Sequence, residues 1–316
     1  MPIEVDVEAS AENFDEAGYL ALNPDVAKNL ASVVPGGWAS GRAHFDRAGH
    51  KEGRSLRQLR KIAEVRKRKL DKLASRLRGD QLLSRIGDKF NFLSPAMQAS
   101  IARPANTPDS QNMYDEFVLS AIDENENGLV LDCGAGFRKI YYPNVVNYEI
   151  VDYDTTDVIG LGEELPFIND TFDAVISISV LEHVRDPLKC ASELARVLKP
   201  GGKIICNVPF LGPYHGYPHH YFNMTGQGLR TLFEDRRIEV EFHEVIDSML
   251  PIWTLTWIVQ SWADGLKNSR EAFLDLPLRT LLNEPNKLLG EQWVRELSRE
   301  KNFELACGTL LIGKKV

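Results

Sequence analysis

Asp132, Gly134 and Gly136 stand at the end of the apolar run V-L-D-C-G-A-G, residues 130–136. An acid followed by a glycine turn after a buried strand suits a nucleotide-like cofactor. Glycine has no Cβ to hold the backbone away from a ligand, and it reaches dihedrals that other residues avoid. Ala135 belongs to the same turn. A second acid, Glu149, ends the run V-V-N-Y-E-I at residues 145–150, with Asp152 a close competitor for contact to such a cofactor. Further along, P-F-L-G-P-Y-H-G-Y-P-H-H-Y-F-N-M-T at residues 209–225 sets His215, His219 and His220 among Tyr214, Tyr217 and Tyr221. Its glycines and prolines make it a loop. Histidine near neutral pH can take a proton from a hydroxyl during group transfer, and a hydrogen-bonded structural role is the competing reading for each of them. A metal site built from the three histidines is disfavoured and no metal is expected. Gly216 and Pro218 break the helix that an i, i+4 pair needs, and no carboxylate lies nearby in sequence.

These residues need elements to hold them. Residues 130–133, 145–150, 174–179 and 203–208 read as strands, with Ser179 ending the third of these and His183 following in V-L-E-H-V. The run E-L-A-R-V-L-K-P-G-G-K at residues 193–203 reads as a helix end stopped by proline and glycine. Few residues separate the glycine turn from the strand at 145, and Pro143 is among them, so the helix between them is short or absent. Strand-helix alternation of this kind predicts an open, mostly parallel sheet covered on both faces, with the ligand at the carboxyl ends of the strands. Residues 303–314 are expected to add an antiparallel last strand pairing with residues 238–245. A dinucleotide fingerprint requires a small residue where Lys139 stands, which weakens the nicotinamide or flavin reading.

D-x-G-x-G, then G-E-E-L-P-F-I-N-D-T-F-D-A-V at residues 162–175, then V-L-E-H and L-K-P-G-G, in that order over some 80 residues, resembles class I S-adenosylmethionine-dependent methyltransferases of the bacterial V-L-E-H type. The resemblance covers about residues 106–316. It implies an α/β, doubly wound, mostly parallel Rossmann-like methyltransferase sheet with S-adenosylmethionine as cofactor. By the same resemblance Asp132, Gly134, Ala135, Gly136, Glu149, Gly162, Glu163 and Ser179 bind that cofactor. Leu161 stands where the family has an aspartate toward the adenine, leaving backbone groups and Glu163 to supply the contact. The loop resembles the family's H-P-x-D-Y segment beside the acceptor, with His220 in the acidic place. It implies Tyr214, Tyr217, His220 and Tyr221 as acceptor-binding residues, and His219, His215 and then His183 as candidates for the base.

The remaining third differs. F-D-E-A-G-Y-L-A-L-N-P-D-V-A from Phe14, with A-H-F-D-R-A-G-H-K-E-G-R from Ala43, is similar to a small helical module found beside glycosyltransferases of bacterial surface-polysaccharide assembly. A packing unit with helix-capping residues is the alternative to a binding module. Residues 54–78 carry eleven Lys or Arg against Glu64 and Asp71, a local net of +9 in a chain whose total is −8. Ile62, Val65, Leu70, Leu73 and Leu77 give this segment an apolar face, so a helix with a solvated charged side is expected. Such a helix can also meet an anionic membrane, another protein or the acidic remainder of the chain. The acidic total argues against a nucleic-acid partner. Residues 91–110 read as a linker. The organisation is then a tail at 1–12, a small helical module at 13–57, a basic amphipathic helix and linker at 58–105, and the methyltransferase domain at 106–316.

Cys133, Cys190, Cys206 and Cys307 lack metal or redox spacing and, with no N-terminal signal pattern, fit free thiols in a reducing cytoplasm. The run at residues 249–262, with Trp253, Trp257 and Trp262, is too short and interrupted to span a bilayer. It suits a core or homodimer helix, and second a lid or membrane-surface contact. The expected function is methyl transfer to a glycan or surface-polysaccharide precursor. A small metabolite or lipid acceptor is the alternative within the same chemistry. A scaffold that retains the fold without catalysis is the alternative outside it, kept open by Leu161 and the shortened helix.

Overall fold

The computed structural model describes residues 1–79, 84–101, 110, 113–216, 219–234, 236–282 and 285–305. The chain forms two compact units, Met1–Asn207 and Val208–Val316. The first holds a seven-stranded sheet made of β1 (Ser84–Ile86), β2 (Lys89–Asn91), β3 (Val130–Cys133), β4 (Val145–Glu149), β5 (Val158–Ile159), β6 (Phe172–Ile178) and β7 (Leu198–Asn207). Their order across the sheet is β7-β6-β3-β4-β5-β2-β1. Every neighbouring pair is parallel except the β1–β2 hairpin. β3 and β4 are buried at each position, as central parallel strands with both faces covered must be. The sheet is Rossmann-like, as the motif order predicts.

Helices cover it through short apolar stripes. Asp115 caps Glu116–Glu124 by accepting from the Val118 amide at 2.9 Å, and Val118, Ala121 and Ile122 pack on Val130, Val145, Ala174 and Ile176. Asp186 caps Pro187–Val197 in the same way through the Lys189 amide at 2.9 Å, and that helix buries Cys190, Ala191, Leu194 and Val197.

No helix follows β3. Residues 134–139 are irregular and lead to a two-residue strand, Ile140–Tyr141, paired antiparallel with Ile3–Glu4. The space is filled from the N-terminal third. Ile62 and Val65 of the basic helix Leu59–Leu73 pack with Val5, Phe137, Tyr141 and Tyr153. Lys69 of that helix is buried, and its Nζ donates to Asp157 Oδ2 at 2.5 Å and to the Val145 carbonyl at 2.6 Å. Asp157 is itself out of solvent, and it also accepts from Tyr141, from the Asn147 amide at 2.9 Å and from Arg66 Nε at 3.4 Å. Burial pulls the Lys69 ammonium down to about 8, against the opposing pull of Asp157. The positive helix therefore meets acidic groups of its own chain.

Three expectations are corrected. The tail at 1–12 is structured: Ile3–Glu4 and Asp6–Glu8 are strands, the latter paired with Ser55–Arg57, because I-E-V-D-V-E alternates and buries Val5. A boundary near residue 106 is replaced by one unit running from Met1 to Asn207, since the hairpin β1–β2 extends the sheet beside β5. Residues 238–245 form no strand, and Arg299–Leu305 is a helix, so the expected pairing is absent there; residues 306–314 lie outside the described residues. Alternation alone makes no strand without an edge to pair with.

In the module at 13–57, Tyr19, Val26, Phe45 and Leu56 form a core, and Tyr19 Oη lies 2.8 Å from His44 Nδ1. Arg54 binds Asp25 at 2.9 Å, so several motif residues serve packing. In the second unit, Trp262 of the helix Pro251–Gly265 stacks on Phe273 at 5.5 Å and donates Nε1–H to the Trp293 carbonyl at 2.8 Å. The other end of that helix leaves Ile252 and Trp253 exposed. Among the described residues no helix is long and apolar enough to cross a membrane.

Lys69→Met takes from the buried Asp157 carboxylate its closest cation, with Arg66 Nε still at 3.4 Å, and should lower unfolding free energy by about 3–5 kcal/mol. Lys67→Met, on the exposed side, should cost well under about 1 kcal/mol. Urea denaturation distinguishes the two, and equal midpoints would refute the linchpin role of Lys69.

Candidate functional site

The glycine turn lies at the carboxyl end of β3. Gly134 and Gly136 have φ of 80° and 60°, the left-handed region that disfavours side chains. A Cβ on Gly134 would stand 2.3 Å from a Val180 methyl, and one on Gly136 would stand 2.5 Å from the Ser110 carbonyl oxygen. Ala135 is buried between them. The Gly134 amide donates to the Tyr148 carbonyl at 2.8 Å, which ties the turn to the end of β4.

Glu149 completes this tie. Its Oε2 accepts from the Gly136 amide at 2.8 Å, and its Oε1 accepts from the amides of Ile150 at 2.7 Å and Val151 at 3.3 Å. Burial raises the carboxyl above its ordinary range while the amide bonds oppose that shift. Asp152, the competitor, is largely exposed and pairs with Lys89. Of the two acids, Glu149 is the one that faces the turn.

Asp132 is fully buried. Its Oδ2 accepts from Tyr114 Oη at 2.6 Å and Arg138 Nε at 2.9 Å, and Oδ1 has no hydrogen-bond partner among the described residues. The Arg138 guanidinium sits 4.1 Å from the Tyr114 ring centroid; burial works against its charge, and Asp132 nonetheless holds its pKa raised. Neither Tyr114 nor Arg138 was expected at the site, although Arg138 lies two residues past the turn.

Glu163 accepts through Oε1 from the Arg185 amide at 3.0 Å and the Asp186 amide at 3.5 Å, so it supports the approach to the helix Pro187–Val197. Gly162 is half-buried beside it, and the Leu161 carbonyl accepts from Tyr148 Oη at 2.9 Å. Ser179 directly follows β6 with φ of 54°, a conformation that costs a non-glycine residue on the order of 1 kcal/mol. Its amide and hydroxyl both reach Asn207 Oδ1, at 3.0 and 3.3 Å.

Glu182, beside the candidate His183, is a further candidate outside the set the sequence motifs single out. It is fully buried, neither carboxylate oxygen has a hydrogen-bond partner among the described residues, and His183 Nε2 lies 3.7 Å from Oε1. Burial pushes its carboxyl up to about 7. An acid following a strand end in V-L-E-H was the available signal.

The loop residues fall in the second unit. His215 shares a 2.8 Å bond between Nδ1 and the Pro213 carbonyl, which assigns the proton to Nδ1 and makes Nε2 the basic nitrogen. Burial lowers its pKa and keeps it neutral. His220 accepts the His215 amide at Nδ1 (3.0 Å) and meets Asn223 Oδ1 through Nε2 (2.8 Å), with Tyr214 stacked on its ring at 5.5 Å. His219 is exposed, 5.2 Å from the Tyr221 ring. His215, His220 and Tyr214 are thus brought together, while His219 pairs with Tyr221. Tyr217 lies outside the described residues.

Residues 133–206 match the model of a methyltransferase domain. An uncharacterized methyltransferase of Mycolicibacterium vanbaalenii is 32% identical over 129 residues, covering 34% of this chain and 51% of that protein. One from Schizosaccharomyces pombe is 43% identical over 142 residues, covering 36% and 50%. The chain spans about half the length of these curated relatives. A putative methyltransferase structure from Bacillus halodurans C-125 is similar at 18% identity and a TM-score of 0.31, covering 39% of this chain and 69% of that one.

Glu182 yields a pH test. A carboxyl at about 7 in the fold and 4.5 when unfolded binds its proton more tightly in the native state, so its favourable term is present below pH 4.5 and is lost as pH rises toward 7. Glu182→Gln should therefore gain stability relative to wild type between pH 4 and pH 8, by on the order of 1–3 kcal/mol. Parallel stability curves for the two proteins would show that Glu182 titrates normally.

Proposed function

We propose, from a class I methyltransferase domain as premise, that this chain transfers a methyl group from S-adenosylmethionine to a hydroxyl of a glycan or surface-polysaccharide precursor. When bound, the sulfonium supplies an already activated methyl group, so the protein's part is to grip the donor, align the acceptor and keep water out. The observation that carries this reading is the glycine turn facing the Glu149 carboxylate across the ends of β3 and β4. Three amides occupy Glu149 and a carboxylate has about four acceptor positions, so the ribose hydroxyls bind by using the remaining one and displacing an amide. Asp132 Oδ1 is a buried acceptor suited to a donor at the turn, such as the amino group of the methionyl part. Gly162, Glu163 and Ser179 line the adjoining strand ends.

The base is His215, His219 or His183, and we favour His215. The Pro213 carbonyl places its proton on Nδ1, so the lone pair that would take a hydroxyl proton as the methyl arrives is on Nε2. Tyr214, Tyr217, His220 and Tyr221 are proposed around the acceptor. The glycan assignment rests on the likeness of the N-terminal module. Free thiols at Cys133, Cys190 and Cys206 suit a cytoplasmic setting.

A second reading has a specific observation in its favour. Val180 lies against Gly134 and Glu149 is satisfied by backbone amides, as in a scaffold that keeps the fold and has lost the ligand.

Calorimetry separates the two. The wild type should bind both S-adenosylmethionine and its demethylated product, Glu149→Ala should weaken binding about tenfold or more, and Gly134→Arg should abolish it. A wild type that binds neither would leave the scaffold. With radiolabelled donor and fractionated cell extract, label should enter a polysaccharide or glycosyl-phosphate fraction; label only in small apolar material defeats the glycan assignment. His215→Ala should cut turnover by about 10²–10⁴, and an unchanged rate across neutral pH would remove it as the base.

A further inference from the structure

The exposed side of the basic helix Leu59–Leu73 carries two stripes. Arg60, Glu64, Lys67 and Asp71 form one and neutralise each other at i, i+4, with Arg60 Nε 3.5 Å from Glu64 and Lys67 Nζ 3.0 Å from Asp71. Lys61, Arg68 and Lys72 form the other, falling within about 40° of one another at 3.6 residues per turn. All three are exposed, and none has an acidic partner among the described residues. Over roughly 16 Å this second stripe leads to the turn Ala74–Arg76 and into a cavity of about 460 Å³ at the amino ends of β3 and β6.

Lys72, Arg76 and Lys199 line the cavity with Asn127, Gly128 and Asp173. Asp173 is the one carboxylate among its lining residues, and both oxygens are engaged, Oδ1 by Lys199 Nζ at 2.7 Å and Oδ2 by the Leu129 amide at 2.9 Å. Arg76 gives one N–H to the Thr171 carbonyl at 2.9 Å. Its other guanidinium hydrogens, the two further protons of Lys199 and the Lys72 ammonium make the cavity rich in donors, with Asp173 the only carboxylate among its lining residues to set against them. Three cations against one satisfied acid leave a net charge of +2 inside a concave surface. The glycine turn and Glu149 lie at the other, carboxyl ends of the strands, so this cavity is not the methyl-transfer site.

We infer that the cavity and its cationic stripe recognise phosphate groups of an anionic partner. A tetrahedral phosphate offers several acceptor oxygens to converging lysine and arginine donors, and the stripe continues that recognition along a second and third phosphate. The rest of the acidic chain repels polyanions and directs them to this face. The phosphates belong to a soluble phosphorylated compound or to lipid headgroups, and two probes distinguish these sources.

Inorganic pyrophosphate is titrated calorimetrically into the full chain at low ionic strength, and vesicles of phosphatidylcholine with or without phosphatidylglycerol are co-sedimented with it. Binding to pyrophosphate identifies a soluble phosphate ligand; binding only to phosphatidylglycerol vesicles identifies a lipid surface. In either case Arg68→Glu and Lys72→Glu should weaken binding about fivefold or more, and added salt should do the same. Lys67→Glu makes the same charge change on the neutralised stripe and should alter affinity less than about twofold. The inference is overturned if the wild type binds neither probe, or if Lys67→Glu weakens binding as much as Lys72→Glu. Far-ultraviolet circular dichroism should show all three exposed variants folded, and calorimetry with S-adenosylmethionine on the same samples tests the methyl-donor site separately.

Discussion

Lys69 and Asp157 leave water together, and the first unit is organised around that pairing. Two charges in a dry interior are tolerated only when each has good partners. Asp157 has Lys69, Tyr141, Arg66 and the Asn147 amide, while Lys69 also reaches the Val145 carbonyl. These contacts anchor a helix from the N-terminal third against the loop that follows the glycine turn. The loop has no helix of its own, so Phe137 and Tyr141 are held by Val5, Ile62 and Val65. The shape of the candidate cofactor turn thus depends on residues some seventy positions earlier, and the N-terminal third is a structural part of the sheet unit.

That dependence also separates what was legible in sequence from what was not. β3, β4 and β6 show themselves as apolar runs because parallel strands bury both faces. The Pro187–Val197 helix announces its start through Asp186-Pro187. Its end at L-K-P-G-G was readable too, although those residues open β7 rather than a separate turn. The missing helix after β3 was legible from chain length and Pro143. The burial of Lys69 was not, because one lysine of a strongly basic helix looks like any other until its acid, nearly ninety residues away, is in place. The alternation in I-E-V-D-V-E is visible in the sequence, but its antiparallel partners, Ile140–Tyr141 and Ser55–Arg57, lie far along the chain. The equally clear alternation at 238–245 gave no strand, since pairing is a property of two segments.

The site divides in the same way. The turn and Glu149 follow from a local pattern, and the structure separates Glu149 from Asp152 by what each touches: backbone amides of the turn for one, Lys89 for the other. Arg138 against Asp132, and a Glu182 carboxylate with no hydrogen-bond partner among the described residues, depend on three-dimensional burial and leave only faint traces in the chain. In the histidine loop, sequence offers His219 and His215 together as first candidates for the base and His220 as an acceptor contact, with no basis for choosing between the first two. Hydrogen bonding makes them unequal: His220 has both ring nitrogens engaged, His215 has one committed and one basic nitrogen, and His219 faces solvent.

The proposed grip of the glycine turn and Glu149 on a methyl donor is tested most directly by a crystal structure with the demethylated product of S-adenosylmethionine. The ribose hydroxyls should lie within about 3 Å of a Glu149 carboxylate oxygen, with the Ile150 or Val151 amide bond given up and Val180 turned from Gly134. A turn that keeps all three amides on Glu149, with Val180 still seated over Gly134 and no ligand beside it, would contradict it.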